Sequence, residues 1–164
     1  MPETKPGDLP SLFNARCYAE GALAALAATR AKPEHIAGLD RVCTQMERWP
    51  EISRGELNKL NTAFHDAIRD IAANRYLAGF RDQVMFHHWQ LRMPVMFTDA
   101  QIVVSHQEHR AILAGIKAGD PDAAERAARA HVNTTRAIVI EVLESMAASR
   151  AAAGAQDPSS ILNL

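Results

Sequence analysis

Residues 98–135 read TDAQIVVSHQEHRAILAGIKAGDPDAAERAARAHVNTT, and this run decides the fold. Thr98 followed by Gln101 has the spacing of a capping box, in which a hydroxyl accepts from an early helical N–H and the amide reaches back to the cap. Ile102, His106, His109, Leu113 and Ile116 then recur at helical spacing on one stripe. Gly119 closes that helix, and Asp120-Pro121 supplies an N-cap and first turn for the next, on which Ala124, Ala127, His131, Thr135, Ile138 and Val142 share a face. The run is a helical hairpin. At about 1.5 Å of rise per residue, His109 and His131 each stand roughly 15 Å from its turn, at one level and facing the core.

The rest of the chain is punctuated in the same way. A first helix is expected from Ser11 to Arg30, with Leu12, Arg16, Ala19, Leu23 and Leu26 inward; a second starts at Pro33 and runs to Trp49, where Pro50 stops it. A third spans Ile52 to Ala73, with Leu57, Leu60, Phe64, Ile68 and Ile71 as its apolar stripe. A fourth runs from Arg75 to Met93, before Pro94, and the hairpin contributes the fifth and sixth, the last ending near Arg150. This divides the chain into a tail or linker over 1–10, one helical bundle over 11–150 and a flexible C-terminal tail over 151–164.

Composition agrees with that division. A chain of 164 residues with 48% hydrophobic content is one packed domain, and its Ala, Leu, Arg and Glu richness with only 8 glycines favours helix over sheet. The expected fold class is all-α, an antiparallel bundle of about six helices. With 18 basic against 19 acidic residues the net charge is −1, which leaves no broad basic surface for phosphate contacts. Direct nucleic-acid binding by this chain alone is therefore not expected. No stretch approaches the ~18 apolar residues of a membrane span, and the first residues carry no signal-peptide pattern, so no membrane association and a cytoplasmic location are expected. Cys17 and Cys43 are too few for a disulfide framework and read as small core residues.

The chemistry lies where the helices converge. Asn61 and His65, spaced i, i+4, leave one face of the third helix beside its apolar stripe. With His109 and His131 they bring three imidazoles and an amide to one point of the bundle, and convergent imidazoles suit a divalent metal such as zinc, nickel or manganese. His106, one turn before His109, is the alternative ligand on the fifth helix. Arg16 faces inward from the first helix, where a guanidinium either clamps a ligand carboxylate or pairs with Glu20 four residues on. His88 lies on the stripe Leu77, Phe80, Val84, His88 and Leu91 and is expected to line the pocket opposite the metal. Glu108 is expected on a solvated face.

The run Asn61-Thr-Ala-Phe64-His65, then Asn74, Glu108-His109-Arg110-Ala-Ile112, Ala118-Gly119-Asp120 and His131 resembles the FCD domain, the effector-binding C-terminal domain of FadR-type GntR transcription regulators. The resemblance runs from about Leu12 to Leu143 and makes the bundle FCD-like. It implies a divalent metal held by an aspartate and three histidines at the base of a pocket for small carboxylates, and a homodimer; Met85, Trp89 and Met96 form a second apolar stripe that serves either as the dimer interface or as ordinary core. This chain departs from the pattern in having Asn61 where the family has aspartate, which removes a negative charge and makes the site lean on an anionic ligand. It departs also in showing no winged helix-turn-helix. Two functions follow: a metal-dependent effector-sensing domain that binds a small carboxylate through Arg16, His88 and a metal on Asn61, His65, His109 and His131, or a stand-alone metal-dependent enzyme acting on such a substrate.

Overall fold

The computed structural model describes residues 6–92 and 97–154, and side chains within 7–85 and 97–149. After a short 3-10 turn at Pro6–Asp8, the described residues form six α-helices: α1 (Leu9–Arg30), α2 (Pro33–Met46), α3 (Arg54–Ala72), α4 (Arg75–Arg92), α5 (Asp99–Ala118) and α6 (Pro121–Gly154). No strand occurs among the described residues. The all-α bundle read from the sequence is thus the fold.

Local chemistry sets the helix ends. The Thr98 hydroxyl accepts from Gln101 N–H at 3.3 Å, and the Gln101 amide oxygen accepts from Thr98 N–H at 2.9 Å, so the capping box forms as its spacing indicated. Gly119 adopts φ +63°, the left-handed conformation that ends α5 without a Cβ penalty, and Asp120 Oδ1 accepts from Ala123 N–H to start α6. Ser53 caps α3 by accepting from Glu56 N–H, which puts the helix start two residues later than its apolar pattern suggested. α2 stops at Met46, short of Trp49, because the next N–H groups bond three residues back: Arg48 to Gln45 and Trp49 to Met46.

α1 is the central helix, packed on α3, α4, α5 and α6. Its small residues Ala19, Ala24 and Ala27, all at most 1% exposed, let neighbours approach on several sides. One core cluster joins Leu23, Leu39, Met46, Phe64, Ile112 and Ile116; a second joins Leu9, Phe13, Val132 and Val139. The backbones of α5 and α6 approach closely at Gly115, where an added Cβ would stand 2.6 Å from Ala124 N and 2.8 Å from Ala124 Cα. α4 packs chiefly on α1, so its buried face is narrow: Val84 is buried, while Phe80, placed inward by helical spacing, is 44% exposed. The side chains of His88, Trp89 and Met96 lie outside the described residues. Among those that are described, no helix is long and apolar enough to cross a membrane.

Candidate metal centre

α3, α5 and α6 each deliver one histidine to the same buried point. His65, His109 and His131 are all at most 4% exposed, and their candidate ligand atoms lie within 4.8 Å of one another. The Nε2 atoms of His65 and His109 are 3.4 Å apart, and ring centroids are separated by 5.3 Å (His65–His109), 5.2 Å (His65–His131) and 4.4 Å (His109–His131). Phe64, fully buried, sets its ring edge-on against His65 and His109 at 5.6 and 4.8 Å and closes one side of the cluster.

Two carboxylates stand behind the imidazoles. Glu20 of α1 places Oε2 3.5 Å from His65 Nδ1, and Glu108 of α5 places Oε2 3.0 Å from His131 Nδ1. Each carboxylate favours a proton on Nδ1 and so leaves the Nε2 lone pair of its histidine for the centre. Glu20 is itself 3% exposed; its Oε1 accepts from Arg81 Nε at 3.2 Å and lies 3.9 Å from Arg16 Nε, while Arg81 Nη1 donates to Asp66 at 2.7 Å. The Arg16–Glu20 pairing on one helix face is therefore present. Glu108 accepts from the Thr134 hydroxyl on its other oxygen. This corrects the solvated position expected of it: its side chain is only 18% exposed, because α6 packs over that side of α5.

The donor set fits a divalent ion. Two nitrogens bound to zinc at ~2.0–2.1 Å with a tetrahedral angle lie about 3.3 Å apart, close to the His65–His109 spacing of 3.4 Å. His109 Nδ1 is buried with no hydrogen-bond partner among the described residues. A ring left half-satisfied in this way is costly in a core unless its other nitrogen is strongly engaged. Asn61, half-buried one turn before His65, lines both adjoining cavities. One, of about 90 Å³, is bounded by His109, His106, Ser105, Asn58 and Asn61; the other, of about 260 Å³, by Arg16, His65, Arg81 and Asn61. His106 stands on the cavity wall, outside the triad.

Burial dominates the protonation of this centre. It pushes His131 down to about 4, against the opposing pull of Glu108, and holds His109 well below the usual imidazole range with further repulsion from the neighbouring rings. For Glu20 burial works upward, but the His65 contact and the Arg16 and Arg81 charges outweigh it and keep the carboxyl well below its ordinary value. A sign follows for stability. Between about 6.5 and about 4, the unfolded chain binds a proton at His131 that the folded metal-free protein refuses. Stability of chelator-treated protein should therefore fall as the pH is lowered through that window. Denaturation midpoints at pH 7, 5.5 and 4.5 measure it, and a flat profile would contradict the burial of neutral imidazoles.

Glu20, Arg81 and Glu108 escaped sequence reasoning as parts of the site. Glu20 carried one usable signal, a carboxylate four residues after an inward arginine on an otherwise apolar face.

An all-α bundle gathering buried histidines from its third, fifth and sixth helices is the architecture the residues resembled, and residues 11–134 match the FCD domain; the chain belongs to that family. The HTH-type transcriptional repressor NanR of Cronobacter sakazakii is 25% identical over 133 residues, 79% of this chain and 50% of that protein. NanR of an Enterobacter species is 26% identical over 144 residues, 82% of this chain and 52% of that protein. The chain thus spans about half the length of these relatives. Among solved structures, E. coli McbR/YncC superposes with a TM-score of 0.72 at 19% identity, covering 87% of this chain and 69% of that one, and so shares the fold.

Proposed function

We propose that this domain is a metal-dependent sensor of small carboxylates, the effector-binding part of a transcription regulator. The reading rests on one observation above all: three buried histidines converge, and His65 and His131 each present Nδ1 to a carboxylate, Glu20 or Glu108, an arrangement that favours Nε2 as the ligand atom. The three histidines, completed by the Asn61 amide oxygen, hold one divalent ion, with zinc, nickel and manganese as the candidates. Bound there, the ion supplies a Lewis-acidic position for a carboxylate oxygen. Arg16, in the groove beside His65 and Asn61, gives the ligand a second anchor through parallel N–H bonds. The neutral Asn58, Ser105 and His106 surround the rest of the ligand on the His109 side. The relatives named as HTH-type repressors favour a regulatory output, transmitted through a homodimer of this bundle.

The test is a thermal-shift screen of small organic acids on metal-loaded and metal-stripped protein, repeated with Arg16→Ala. A carboxylate bound here stabilises by about 2.7 kcal/mol at a hundredfold excess over its Kd, a rise of roughly 5–10 °C for a domain of this size. The shift should be confined to the loaded form and should largely vanish in Arg16→Ala. Hits dominated by neutral or cationic compounds, or an Arg16→Ala variant that responds as wild type does, would overturn the carboxylate reading.

A further inference from the structure

The donors proposed for the centre, three imidazoles and an amide, bring no negative charge to an ion. A divalent ion among them keeps its full charge unless negative charge approaches from behind the ligands. Two carboxylates stand there, and they are not alike. Glu20 is shared, with Arg81 Nε at 3.2 Å and Arg16 Nε at 3.9 Å, so its charge is largely answered by two buried guanidinium groups before His65 draws on it. Glu108 has other partners: the Thr134 hydroxyl on one oxygen and His131 Nδ1 at 3.0 Å on the other. Among the described residues no arginine or lysine makes an ion pair with it.

Resting on the metal reading above, we propose that Glu108 is the positioning residue that supplies the centre's negative charge, acting through the His131 ring in place of a carboxylate bound directly to the ion. Accepting from Nδ1–H, Glu108 fixes the tautomer of His131, raises the donor strength of Nε2 and offsets the ion's charge across one imidazole. Thr134, on the helix that carries His131, holds the other oxygen and so keeps the carboxylate aimed. The position follows from helix geometry. Glu108 precedes His109 by one residue, about 100° around α5, so one side chain reaches the centre while its neighbour reaches α6. One turn of α5 thus provides both a ligand and the group that orients the ligand opposite.

The experiment is chelator competition for zinc, with cobalt absorption as a second readout, on the full chain: wild type, Glu108→Gln, Glu108→Asp and Thr134→Val. Far-UV circular dichroism checks that each is folded. Glu108→Gln keeps shape and a hydrogen-bonding group but loses the charge, and zinc affinity should fall about 10–100-fold. Glu108→Asp should retain more affinity than Glu108→Gln, and Thr134→Val, which keeps the carboxylate but frees it, should lose less than Glu108→Gln. Long-range proton–nitrogen spectra of the metal-stripped protein, in which no ion at Nε2 dictates the tautomer, should show the proton of His131 on Nδ1 in wild type, with that signature altered in Glu108→Gln. A merely structural role would leave the tautomer and the order of affinities unmoved. Wild type that takes up neither zinc nor cobalt defeats the metal reading and this inference with it. Wild type that binds while Glu108→Gln matches it within about twofold defeats the inference alone; should Glu108→Gln not fold, a Thr134→Val variant with wild-type affinity does the same.

Discussion

On the metal reading proposed above, replacing His109 and His131 together by alanine should take the protein from about one divalent ion per chain to none after dialysis. The two residues supply two of the three imidazoles at the centre, from both arms of the α5–α6 hairpin. What remains, His65 and the Asn61 amide, is a pair of neutral donors on one helix face, too few to hold a borderline metal against buffer. The fold should survive, because each lost ring also removes buried polar nitrogen, one of which, His109 Nδ1, has no partner among the described residues. Elemental analysis before and after substitution is the direct measurement. Full metal content in the double variant would mean that the ion is held elsewhere.

Glu20→Ala should be the most damaging single change to stability, costing about 3–5 kcal/mol. It removes a buried carboxylate that stands 3.9 Å from Arg16 Nε and 3.2 Å from Arg81 Nε, two guanidinium groups that are themselves 2% and 4% exposed. Arg81 keeps Asp66, at 2.7 Å, which limits the loss on its side, while His65 loses the carboxylate beside Nδ1. With a urea slope of about 1–3 kcal/mol/M, the denaturation midpoint should drop by roughly 2 M. A loss below about 1 kcal/mol would show that water reaches and compensates the arginine pair. Glu20→Ala/Arg16→Met should recover part of the loss, since it removes one of the two buried guanidinium groups that Glu20 answers.

The parts of this protein legible in its sequence are those governed by neighbours along the chain. The Thr98 capping box, the Gly119 turn and the Asp120-Pro121 start are local chemistry, and each stands where its residues said. The equal spacing of His109 and His131 from that turn is simple arithmetic on a helical hairpin, and the structure does bring them together with His65. What was hidden depends on pairings between distant segments. Glu20 and Arg81 are 61 residues apart and meet only because α4 lies on α1. Glu108 sits off the apolar stripe of α5, and periodicity assigns such a position to solvent; only the placement of α6 over that side makes it half-buried. α1 is expected to have a single inward stripe through Leu12, yet Phe13, Glu20 and Ala24 are buried as well, because this central helix is covered on all sides over residues 19–28, where no residue is exposed.

The contact at Gly115 gives the hairpin a fulcrum. There the backbones of α5 and α6 meet with no side-chain layer between them, so neither helix can move toward the other or roll past it at that level. His109 lies six residues toward the start of α5, about 9 Å along the axis. Any change in the span between His109 and His131 must then open as a splay that widens away from the fulcrum, toward the start of α5 and the far end of α6. A displacement of a few tenths of an ångström at the triad would be amplified with distance from the pivot. The 34-residue α6 is the long arm of that lever, extending well past the centre to Gly154.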